Sequence, residues 1–108
     1  MIKVRFTEEG NKLSLRVKGH ARYAEHGKDI VCASASILAY TLATIVESFD
    51  EDKVKSNIYI ASGDTNIWCE CKDEQTFISL KNAYHYTEIG YALLFRKYPE
   101  YVRLYAPT

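Results

Sequence analysis

His20 precedes Cys32 by twelve positions in the run from Gly19-His20-Ala21 to Ser36, and an imidazole and a thiol held together by a loop can carry out nucleophilic chemistry. The attacking species is the thiolate, which positive potential from a helix N-terminus or a neighbouring imidazolium favours. His20 would take the thiol proton and later give it to a leaving amine, the paired base and acid roles of a group that titrates near neutral pH. This chemistry is that of a cysteine protease.

Such a pair needs two elements to position it. Asp29 stands as the N-cap of a helix, which puts Cys32 in the first turn, where unpaired backbone N–H groups would hold an oxyanion. Asp29 admits a second reading, as a third catalytic member orienting His20; Ser36, one turn beyond Cys32, is a supporting or capping hydroxyl. His20 falls where a strand ends. The intervening loop, with Arg22, the alternative base His26 and Gly27, lacks apolar periodicity, so it is expected to be mobile until substrate arrives.

The rest of the chain supplies a scaffold. Ile2, Val4 and Phe6 alternate with polar residues, Glu9-Gly10-Asn11 turns the chain, and Leu13, Leu15 and Val17 alternate again, predicting a hairpin. Val31, Ala35, Leu38, Leu42, Ile45 and Phe49 follow helical spacing, with Cys32, Ser36, Ala39, Ala43 and Val46 on a row rotated by one residue. Strands over 57–61 and 65–71 around Ser62-Gly63-Asp64 predict a second hairpin. A second helix follows on the stripe Phe77, Leu80, Tyr84, Thr87, Tyr91, Leu94 and Tyr98, interrupted in propensity at Gly90, and a strand closes the chain over 101–105. The order ββαββαβ predicts an α+β two-layer sandwich: a mainly antiparallel sheet with two helices on one face, as a single domain over residues 1–108. The uncovered face, with Tyr59, Trp68, Tyr101 and Tyr105, is a candidate dimer surface.

Composition narrows the function. Fourteen basic and fourteen acidic residues, with neither sign in a block, lack the footprint of a nucleic-acid binder, so no direct nucleic-acid partner is expected. Neither an export signal nor a segment long enough to span a bilayer is evident, so a cytoplasmic protein with reduced thiols is expected. Cys69 and Cys71 share one strand face, yet no second ligand pair accompanies them; buried packing is expected rather than a metal site, and no cofactor is implied. A cysteine in the first turn of a buried helix is more often packing than catalysis. Spacing alone therefore leaves the catalytic pair and the packed thiol in balance.

Gly19-His20-Ala21, Gly27, Asp29-Ile30-Val31-Cys32-Ala33 and Ser36 together resemble the signature of the ribosomal-processing cysteine protease family, and the element order and the ending Lys97-Tyr98-Pro99-Glu100-Tyr101-Val102 extend the likeness over nearly the whole chain. The resemblance implies a homodimeric endopeptidase whose substrate is the precursor of a large-subunit ribosomal protein, from which it removes a short N-terminal extension. It assigns the base to His20 and the nucleophile to Cys32. It also implies an apolar groove beside Cys32 for a bulky, Phe-containing stretch. The chain departs from the pattern at Arg22, where a small residue, often Gly, is common, and at Ala33-Ser34-Ala35, which bears on substrate preference more than on chemistry. The alternatives are a divergent paralogue trimming another protein and a noncatalytic ribosome-associated or peptide-binding module of the same fold; a redox thiol is weaker, for Cys32 has no resolving cysteine nearby in sequence.

Overall fold

Alternation lays down the sheet. In β1 (Ile2–Glu9), Ile2, Val4 and Phe6 are buried and the residues between them are exposed, the period of a strand with one face on a core. A computed structural model of the chain describes residues 1–105; residues 106–108 of the expected domain lie outside the described residues. β2 (Lys12–Lys18) pairs back antiparallel to β1, and α1 (Ile30–Glu47), β3 (Val54–Ala61), β4 (Asp64–Cys71), α2 (Glu74–Lys97) and β5 (Val102–Tyr105) complete the order ββαββαβ. The sheet runs β3-β4-β2-β1-β5. Its one parallel pairing, β1 with β5, makes it mixed, because α2 carries the chain across to the far edge before β5 begins. Both helices pack against the sheet and against each other, burying one continuous core.

Several local expectations need correction. β3 begins at Val54, since Val54 and Ser56 already pair with Cys71 and Cys69, and the turn shortens to Ser62-Gly63 because Ala61 pairs with Asp64. In α1 the buried line is Val31, Ala35, Ala39, Leu42, Ala43 and Val46, while Leu38 and Ile45, and Phe49 just past the C-cap, are only half-buried. The small alanines face the sheet, and Leu38 turns toward α2, where a Cβ on Gly90 would stand 2.6 Å from its Cδ2. Gly90 thus makes room for the helix contact. α1 is also long and apolar enough, by length and composition, to cross a bilayer, contrary to the expectation that no segment is; its apolar residues follow from its place in the core.

The tyrosines of α2 belong mainly to that core. Tyr84 donates its hydroxyl hydrogen to the Ile67 carbonyl at 2.9 Å, and Tyr91 donates to the Ala35 carbonyl at 2.7 Å. Phe6 meets both rings edge-on. Each buried hydroxyl is therefore satisfied, and the rings join α2 to β4 and α1 without a desolvation penalty left open.

Candidate active site

Asp29 fixes where α1 begins. One carboxylate oxygen accepts the N–H groups of Val31 and Cys32, each at 3.0 Å, and the other accepts those of Tyr23 and Ala24 at 2.9 and 3.3 Å. Burial opposes ionisation of this carboxyl, but the four N–H groups outweigh it and hold the pKa below the ordinary carboxylate value. The same contacts overturn an expectation: the first-turn N–H groups of Val31 and Cys32 serve the cap and are not free for an oxyanion. With both oxygens engaged by backbone, Asp29 makes no hydrogen bond to His20 among the described residues.

Cys32 is half-buried, and its Sγ receives the Ala21 N–H at 3.4 Å. Ser36 is exposed and caps nothing, since Asp29 and Ser48 are the caps of α1; it lines the cleft one turn from Cys32. Two clefts meet at Cys32 and His20. One, of about 490 Å³, has Ile2, Val17, Tyr40 and Ile60 among its walls. The other, of about 410 Å³, is bordered by Arg22, His26, Gly27 and Asp29. His26 lines both, so two imidazoles share these clefts with the thiol.

The loop between them is partly anchored. Tyr23 packs edge-on against Tyr98 and Tyr101, its N–H is held by Asp29, and Lys28 donates its N–H to the Glu25 carbonyl. Arg22 adopts a left-handed backbone, φ 57°, which an L-residue with a Cβ takes up at a cost. The departure from a small residue noted in the sequence thus falls on a position whose geometry favours glycine.

His20 is held from two sides. Its carbonyl accepts from the Met1 amino group at 2.7 Å, and its imidazole lies over Gly63, where a Cβ would stand 2.6 Å from Nε2. The Gly19 N–H reaches the Gly63 carbonyl at 2.9 Å, tying the end of β2 to the β3–β4 turn. Among the described residues no hydrogen bond joins the imidazole to Cys32 Sγ. Sequence reasoning missed both Gly63 and the Ala21 N–H: Ser62-Gly63-Asp64 reads only as a turn, and nothing local reveals that Lys18 pairs with Asp64, which sets that turn beside His20.

Cys69 and Cys71 are buried on the inner face of β4. Burial raises both thiols, Cys71 to about 12 with the neighbouring Cys69 adding to the effect, so neither is a ready nucleophile. No group of three His, Cys, Asp or Glu side chains among the described residues could hold a metal ion.

The fold and site define a two-layer α+β domain that presents one accessible thiol at a helix start, in clefts shared with imidazoles. The family profile described as cysteine protease Prp matches residues 1–103, and the chain belongs to that family. Among solved structures, the essential ribosomal processing protease Prp from S. aureus is similar over 98% of this chain and 99% of its own, at 22% identity and TM-score 0.78, in complex with a covalently linked product peptide. The same protease with a substrate peptide aligns at 21% identity and TM-score 0.73, covering 98% of this chain and 99% of that one. SMU.848 from Streptococcus mutans aligns at 24% identity and TM-score 0.69, over 100% of this chain and 96% of its own. No curated protein is similar enough to the chain to count as a match.

Proposed function

We propose that this protein is an endopeptidase that removes the N-terminal extension of a large-subunit ribosomal protein, with Cys32 as nucleophile and His20 as base. The observation that carries the reading is the half-buried Cys32 sulfur, which opens on the same two clefts as His20 and receives the Ala21 N–H at 3.4 Å. His20 takes the thiol proton, and the sulfur attacks the scissile carbonyl carbon, forming a C–S bond as the carbonyl electron pair moves to oxygen. Collapse breaks the C–N bond, and the amine leaves with the proton from the imidazolium. Water, giving a proton to His20, then cleaves the thioester and restores the thiol.

With the Val31 and Cys32 N–H groups occupied by the cap, the Ala21 N–H beside the sulfur is the candidate donor for developing negative charge. The cleft walled by Ile2, Val17, Tyr40 and Ile60, alongside polar Asp64 and Thr65, is assigned to the Phe-containing stretch before the scissile bond, and the cleft with Arg22 and His26 to the residues after it. The covalently linked product peptide of the S. aureus protease supports a covalent route by similarity. A cytoplasmic homodimer completes the proposal. Exposed Ile37 and Tyr40 on α1, with Tyr86, Ile89 and Leu93 on α2, offer it apolar surface, in place of the outer sheet face, where Tyr59, Trp68 and Tyr105 stand among like-charged cations.

Incubating the purified protein with candidate precursors and reading product masses tests substrate and bond together. One cut between extension and mature protein is expected; intact precursor after prolonged incubation would overturn the substrate assignment.

A further inference from the structure

Read along the chain, acidic and basic residues balance, but folding sorts them. The outward positions of the central strands bring Lys3 opposite both Lys18 and Arg103, and Arg5 opposite Arg16. All five side chains are exposed. Like charges placed directly across a ladder destabilise a sheet, and here they fall on adjacent rows, with Asp64, paired to Arg16 at 3.3 Å, as the carboxylate beside them. A fold that tolerates such repulsion holds a site that a polyanion would relieve.

The same face carries flat rings. Arg5 stacks over Tyr105 at 4.4 Å from the ring centre, Tyr59 is 55% exposed, and Trp68 projects from the outward side of β4. Cations that follow a backbone, interleaved with aromatic platforms on an open sheet, match phosphates and bases together, which an acidic peptide does not. A second copy of the chain would bring the same sign to the same face and is disfavoured.

We propose that the outer face of the sheet, centred on Lys3, Lys18 and Arg103, binds single-stranded RNA. The choice of RNA as the polyanion rests on the ribosomal substrate proposed above. The face lies at the sheet end that bears His20 and Gly63, so bound RNA would sit beside the cleft and hold a precursor assembling on it within reach.

The test is fluorescence anisotropy with a labelled single-stranded RNA of about 20 nucleotides, at salt from about 50 to 200 mM. Saturable binding is expected, with log affinity falling about −2 to −3 per log salt, and K3Q/K18Q/R103Q is expected to bind at least about tenfold more weakly with a shallower slope. That variant should keep wild-type cleavage of a precursor peptide and an equal or higher Tm, since it removes like-charge pairs; should it fail to fold, R5Q/R16Q serves in its place. Absence of RNA binding at the lowest salt, undiminished binding by the folded variant, preference for polyglutamate or anionic vesicles, or a changed oligomeric state in the variant would each overturn the proposal. Because binding is read without cleavage, failure here is distinct from failure of the protease reading.

Discussion

Two side chains, Cys32 and His20, carry the proposed chemistry differently, and substitution separates them from their neighbours. Cys32→Ala and Cys32→Ser should both abolish cleavage while leaving Tm near wild type, because a hydroxyl does not form the anion that a thiol does; Cys69→Ser and Cys71→Ser, buried in the core, should lower stability instead. His20→Ala should lower kcat about a hundredfold or more, with His26→Ala nearly silent. A larger loss from His26→Ala in a folded protein would move the base to the second imidazole of the cleft. Gly63→Ala tests whether the turn positions His20. A methyl there would meet Nε2 at 2.6 Å and displace the ring, whereas Gly10→Ala, at φ 59° with open space around it, bears the same backbone cost away from the site. Each should lose about 1 kcal/mol of stability, but only Gly63→Ala should lose kcat.

At the scale of elements, the cap of α1 couples helix, loop and pH. Asp29→Ala should cost about 1–2 kcal/mol, seen as a lower Tm, since it releases two helix N–H groups and two from the loop. The depressed carboxyl gives stability that is complete above the ordinary carboxylate pKa of about 3.9 and is lost as pH falls through the lower folded value. Asp29→Asn should accordingly flatten that part of the acid-unfolding curve. Element order and most strand faces were legible because burial on one side imposes a period of two on Ile2, Val4, Phe6 and on Ile67, Cys69, Cys71. The face of α1 was read one step off, for periodicity weighs Leu38 and Ile45 above Ala39 and Ala43, while close approach to the sheet selects the smaller side chains. At the site, spacing put Cys32 in a first turn and His20 at a strand end. It could not reveal that Gly63 lies under the imidazole, because that depends on contact between distant segments.

Over the whole molecule, the sheet and helices form a frame, and the segment from Glu25 to Lys28, closed by its own Lys28 N–H to Glu25 carbonyl bond, connects to it beside the cleft. Tyr23 ties the first half of that loop to Tyr98 and Tyr101, so motion is expected mainly beyond it. Hydrogen exchange with and without a substrate-derived peptide should show protection gained at 25–28 on binding; strong, unchanged protection in both states would mean a rigid, preformed site. Because Met1 and Gly63 hold His20, such closure would move His26 and the cleft wall around the substrate rather than the base itself.

The central claim is that Cys32 forms a covalent bond to a ribosomal-protein precursor during its cleavage. The most direct test is intact-mass spectrometry of the protein mixed with precursor and quenched in acid at short times, run beside Cys32→Ser and His20→Ala. The account predicts a transient adduct equal in mass to the released extension less one water, attached at Cys32, followed by two products cut at one bond, with no adduct in Cys32→Ser. Product formation by Cys32→Ser at the wild-type rate, or an adduct mapped to Cys69 or Cys71, would contradict it.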